Sequence, residues 1–137
     1  MTCDIHSARA VVTGRVDSGD GKPDIIRNEY DARYRAMPDG FELQYDEPEA
    51  HVTITCCEGM AIMSRSGVPE CRMEFVPGQV RDAAYILPEG EFDMSIECSM
   101  LALDRHEGRG TLRIAYRILS AGQLISDNRL MVSYKLC

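Results

Sequence analysis

Thr111-Leu112-Arg113-Ile114-Ala115-Tyr116-Arg117-Ile118 alternates without a break. In an extended chain Leu112, Ile114, Tyr116 and Ile118 share one face, and Arg113, Ala115 and Arg117 share the other. Period two with one apolar face describes an antiparallel strand that is half buried and half wet. A helix would need apolar residues three and four apart, and no long window of the chain supplies that spacing. The pattern recurs on both sides. Downstream, Leu130, Val132, Tyr134 and Leu136 oppose Met131, Ser133 and Lys135. Upstream, Phe92, Met94, Ile96, Cys98 and Met100 oppose Glu91, Asp93, Ser95 and Glu97.

Turn signals punctuate the chain at short intervals: Ser18 to Gly21, Pro38-Asp39-Gly40, Glu58-Gly59, Gly67-Val68-Pro69, Pro77-Gly78, Pro88-Glu89-Gly90, Gly108 to Gly110 and Ala121-Gly122. Glycine supplies positive φ and proline fixes φ, so each signal bends the chain. Regular punctuation of this kind marks an all-β sandwich or barrel. Ten strands are expected, over 9–16, 24–36, 40–46, 51–57, 60–65, 70–76, 79–87, 91–103, 111–119 and 128–136. Every connection is short, as in an up-and-down meander. A long meander with one wet face twists and leaves exposed edges, and closure into a barrel removes them. The fold class read from the sequence is therefore a single all-β domain over 1–137. It is an antiparallel up-and-down barrel of eight to ten strands, with residues 1–8 as a flexible N-terminus. A two-sheet sandwich is the alternative.

The composition excludes several classes. A length of 137 residues suits one domain. No apolar run approaches the roughly 20 residues of a membrane-spanning helix, so no membrane partner is expected. The first ten residues carry Asp4, His6 and Arg9 and no apolar signal region, which gives a cytoplasmic reading. The six cysteines are then reduced thiols, with Cys56, Cys71 and Cys98 in phase with core residues. A net charge of −7 argues against the whole molecule being a nucleic-acid binder. The charge is uneven: six acidic residues and no Lys or Arg lie between Ala36 and Ser64, and six basic residues against two acidic ones between Arg105 and Cys137.

Several short stretches stand in a fixed order: Arg65-Ser66-Gly67 after an apolar strand, then Met73-Glu74-Phe75-Val76-Pro77-Gly78. Tyr85, Pro88 and Gly90 follow, then Gly110 through Ile114-Ala115-Tyr116, and Leu130 to Tyr134 at the end. Together they resemble the YwiB-like family of uncharacterised bacterial β-barrel proteins, over nearly the whole chain. The resemblance implies a calycin-like (lipocalin-type) barrel and carries over no activity and no catalytic residue.

Two candidate sites follow from the strand phases. The first is the barrel interior. Tyr30, Tyr34, Tyr45, Tyr116 and Tyr134 fall on apolar faces, with Asn28 beside Ile26 and Ala32. Phenols around one lumen grip a small amphipathic or aromatic ligand, and Arg65 adds a charge at the mouth. The phase of Arg65 is undecided, because Met60, Ile62 and Ser64 compete with Ala61 and Met63; the face of Tyr85 is equally open. Against this stands a lumen simply filled by its own side chains. The second candidate is a basic outer stripe of Arg9, Arg15, Arg27, Arg33, Arg35, Arg113, Arg117 and Lys135, which closure of first strand on last would gather. It suits an anionic macromolecule, RNA or an acidic protein. The competing reading is a solvated face whose arginines pair with Glu29 and Asp31. No metal site or cofactor is expected: Cys3-Asp4-Ile5-His6 and Asp46 to His51 lack the paired spacing of four N or S ligands. No nucleophile elbow, phosphate loop or dinucleotide fingerprint is present, so an enzyme is not expected. The assembly is a monomer or a homodimer.

Overall fold

The computed structural model describes residues 5–137. Ten antiparallel strands follow one another: β1 (Ile5–Asp17), β2 (Asp24–Met37), β3 (Gly40–Glu47), β4 (Ala50–Cys57), β5 (Met60–Gly67), β6 (Glu70–Phe75), β7 (Val80–Leu87), β8 (Gly90–His106), β9 (Arg109–Ser120) and β10 (Gln123–Leu136). Each pairs with its neighbours in sequence, and β1 closes on β10. The sheet is thus a barrel, not a sandwich. Closure sets Ala10 between Tyr30 of β2 and Tyr134 of β10, and Val12 opposite Val132.

Each strand's alternation appears directly as alternating burial. β4 reads buried at Ala50, Val52, Ile54 and Cys56 and half-buried between them. Large and small inward residues interlock. Ala8, Ala10, Ala32 and Ala61 are buried beside the rings of Tyr34, Phe41, Phe75 and Tyr134. Phe41, Leu43, Phe75, Leu112 and Val132 are 0 % exposed, and each such side chain contributes about 1.5–3 kcal/mol through burial.

Two tight hairpins follow the turn chemistry. Glu58 (φ 50°) and Gly59 (φ 76°) join β4 to β5, and Ala121 (φ 51°) and Gly122 (φ 77°) join β9 to β10. Positive φ at both central residues matches the right-handed twist of the flanking strands.

The structure departs from the sequence reading in three places. β1 begins at Ile5, so Ile5–Ala8 are strand residues paired with β2 and not part of a loose N-terminus. Residues 1–4, Cys3 among them, lie outside the described residues. β8 carries a bulge at Ser99, between the pairs Cys98↔Tyr116 and Met100↔Ala115. An extra residue reverses the phase beyond it. Leu101 and Leu103 pack against the core, and Met100, read as inward with Cys98, lies opposite Ala115 on the outer side. β10 starts at Gln123, not 128; an irregularity between Leu124 and Ser126 breaks the alternation there.

The meander gives the barrel two ends. The turns after β1, β3, β5, β7 and β9 lie at one, here called upper. The turns after β2, β4, β6 and β8 lie at the other, with Ile5 and Cys137. β2 meets β3 only from Ala32 to Met37, so the β1–β2 hairpin rises beyond the rim. β6 and β7 share only the pairs Glu70↔Ile86 and Cys71↔Tyr85, the weakest seam of the wall.

Candidate functional site

The two ends are built differently, and two glycines show how. Gly110 lies opposite Tyr134 near the lower end, where an added Cβ would stand 2.6 Å from ring carbon Cε2. Gly14 is the next inward position above Val12, and there a Cβ would meet no atom within 4 Å.

The lower end is a plug. Tyr34 and Tyr134 stack with ring centroids 4.8 Å apart, and Phe41 leans on Tyr134 at 5.0 Å. Arg105 closes it, donating from Nη2 to the Tyr34 hydroxyl at 3.2 Å. Burial, reinforced by the neighbouring Tyr34 hydroxyl, pushes the Tyr134 phenol up to about 12. These two tyrosines face inward as expected, but they are core and are not among the residues that line the upper cavity.

The upper end holds a cavity of about 340 Å³. Val12, Val52, Met63 and Met73 supply apolar wall, and Tyr45, Tyr85, Glu47, Arg65 and Cys71 supply polar atoms. Arg65 pairs across strands with Val52 and Cys71, both inward, and this settles its phase. Its guanidinium forms an ion pair with Glu47; the two side chains are only 29 % and 19 % exposed. Arg65 Nε is buried with no partner among the described residues. Tyr30 donates to Glu47 Oε2 at 3.4 Å, and the rings of Tyr30 and Tyr45 stack at 4.3 Å. Burial raises the Tyr45 phenol well above its ordinary value, helped by the Glu47 charge and opposed by Arg65. Burial raises Tyr30 as well, again reinforced by Glu47. No hydrogen bond within the described residues engages the Tyr45 or Tyr116 hydroxyl.

The remaining interior residues fall as follows. Tyr116 packs on Phe75 at 4.8 Å, and burial pushes its phenol up to about 12. Asn28 shares the inward phase but is exposed, because the hairpin that carries it stands above the rim. Asn128 takes the buried position instead. It is 2 % exposed, lies opposite Tyr116 and donates to Ser126 Oγ at 3.1 Å; its Oδ1 has no partner among the described residues. Sequence reasoning missed Glu47 and Asn128. Glu47 continues the inward phase of Leu43 and Tyr45, and that signal was present in the sequence.

The basic stripe is gathered only in part. Arg9 binds Asp31 at 2.8 Å and Glu29 at 3.4 Å, and Arg27 reaches Glu29 at 3.5 Å. Arg35 binds Glu42 at 2.9 Å, and Arg117 approaches Asp127 at 3.8 Å. Arg15, Arg33, Arg113 and Lys135 form no ion pair within the described residues. Lys135 stands directly opposite Arg9 across the closure seam. His51, in the acidic turn cluster, contacts Asp46 at 2.7 Å and Gln44 at 3.1 Å.

The family described as a domain of unknown function, DUF1934, matches residues 11–132. The chain belongs to this family. That match runs from β1 to β10 and so includes both walls of the cavity. Among solved structures, this DUF1934 chain is similar to the crystal structure of the ywiB protein from Bacillus subtilis. The TM-score is 0.86 at 20% identity, over 97% of this chain and 93% of that one. At that identity the likeness shows a shared barrel. No curated protein matches the chain. Among the described residues of this DUF1934 chain, no helix is long and apolar enough to cross a membrane.

Proposed function

We propose that this barrel is a non-catalytic, calycin-like binder of one small amphipathic or aromatic ligand, held in its upper lumen. The ligand's apolar body lies on Val12, Val52, Met63 and Met73. Its polar end meets Arg65, Glu47 and the Tyr45 hydroxyl. The observation that carries this reading is the charged pair set into the wall of a ligand-sized space. Small-molecule sites occupy about 300–1,000 Å³, mostly apolar with a few convergent polar groups. A barrel selected only for stability gains more from apolar filling than from a shielded ion pair, whose desolvation offsets much of its attraction.

Native mass spectrometry of the purified protein, followed by displacement of anilinonaphthalene sulfonate by candidate ligands, tests the proposal. The informative variant removes both charges, Glu47→Gln with Arg65→Met, because removing one alone strands the other. The double variant is expected to stay folded and to bind the dye or retained ligand about tenfold or more weakly, the effect of losing one charge-assisted hydrogen bond. Unchanged affinity in a folded double variant would refute the assignment.

A further inference from the structure

Another concavity lies outside the lumen. A groove of about 490 Å³ crosses the outer wall near the lower end, formed by β1, β10, β9 and β8. The register explains its chemistry. Arg9 lies opposite Lys135, Lys135 opposite Arg109, and Arg109 opposite His106. Three permanent cations therefore stand side by side across three adjacent strands. Directly opposed strand residues hold their Cβ atoms roughly 4.5–5.5 Å apart, and like charges in that relation repel.

The ends of the row are neutralised within the chain. Arg9 has Asp31 and Glu29, and His106 Nε2 lies 3.3 Å from Asp104. The centre is not. Lys135 and Arg109 have no carboxylate partner among the described residues. The next row along the same two strands places Ser133 opposite Thr111, with their hydroxyl oxygens 3.3 Å apart. Rows on one face are two residues apart, roughly 6.5–7 Å along the strand. Two unpaired cations and two hydroxyls thus border one depression.

We infer that this groove binds a compact oxyanion, the phosphate group of a small phosphate ester, through Lys135, Arg109, Thr111 and Ser133. Lys135 and Arg109 donate charged hydrogen bonds to the non-bridging oxygens, and the hydroxyls donate from the adjoining row. The same geometry rejects a long polyanion. Asp31 stands beyond Arg9 at one end of the cation row, and the hydroxyl row runs from Glu29 beyond Val11 to Asp104 opposite Thr111, so a nucleic-acid backbone lying across the groove meets carboxylates at both ends. No exposed aromatic ring lies among the lining residues to stack a base.

The test is a titration of the full chain with inorganic phosphate and with pyrophosphate, followed by backbone and side-chain NMR at fixed ionic strength. Saturable shifts are expected at Arg109, Thr111, Ser133 and Lys135, with Arg15 and Arg113 unmoved. Lys135→Met and Ser133→Ala are expected to weaken phosphate binding, Lys135→Met by about tenfold. Arg113→Met is expected to leave it unchanged. Should Lys135→Met fold poorly, Ser133→Ala and the site-resolved shifts of the unaltered chain still decide. Linear, unsaturable shifts spread over all the arginines would overturn the site. A single-stranded oligonucleotide binding more tightly than pyrophosphate, with shifts at Arg15 and Arg113, would overturn the compact-anion assignment.

Discussion

Replacing Gly110 by alanine probes the plug directly. The added Cβ would lie 2.6 Å from Tyr134 Cε2, 2.7 Å from its hydroxyl oxygen and 2.8 Å from Cζ. Carbon atoms in contact settle at about 3.5–4.0 Å, so the ring must retreat by roughly 1 Å. It has nowhere to go: Tyr134 is 4 % exposed and stacks on Tyr34, with Phe41 tilted against it. Overpacking of this kind costs about 1–3 kcal/mol. For a domain of this size that lowers the thermal midpoint by roughly 3–12 °C. Gly14→Ala is the control. Its Cβ meets open space, its φ is not in the left-handed region, and losing glycine's freedom in the unfolded chain stabilises by about 0.4–1 kcal/mol. Calorimetry of both variants, repeated in a Tyr134→Leu background, separates clash from propensity. The Gly110→Ala penalty should shrink when the ring is gone. An undiminished penalty in that background, or none in the parent chain, would refute the two-ended packing.

Alkali should unfold the barrel. Burial lifts the Cys56 thiol from about 9 to about 11, and the Tyr116 and Tyr134 phenols from about 10 to about 12. A raised folded-state value means that the neutral form is favoured on folding. The stabilisation is complete below pH 9 and is lost as pH climbs from 9 to 12. Tyrosinate absorbance should therefore rise together with loss of β circular dichroism, and full phenol ionisation near pH 10 in a folded chain would contradict this. Ala121→Asn should stabilise by about 0.5–1 kcal/mol, because alanine at φ 51° pays a steric penalty that asparagine reduces. An unchanged denaturant midpoint would show that this turn is not strained.

The strands were legible because most segments alternate and a glycine or proline lies in every connection between them. Closure followed from their number and their short connections. The site was less legible, for local reasons. A single bulged residue, Ser99, reverses the phase of everything after it in β8, and nothing in the Cys98-Ser99-Met100 sequence announces it. Arg65 sits in a strand whose two faces are both half-apolar, so its direction emerged only from its partners Val52 and Cys71. Asn28 and Asn128 show the limit of phase alone. Both alternate inward, but only Asn128 has strands on both sides at its height. Glu47 was read only within the Asp46 to His51 cluster, so its inward phase went unused; the half-buried guanidinium of Arg65 compensates its charge.

The upper lumen is the centre of this account, and Val12→Phe tests it most directly. Thermal melts of the parent and the variant should be compared with and without anilinonaphthalene sulfonate. A hollow lumen accepts the larger ring, so the variant keeps or raises its midpoint and loses the dye-induced stabilisation seen in the parent. A variant that melts several degrees lower while responding to dye as the parent does would contradict the hollow upper lumen.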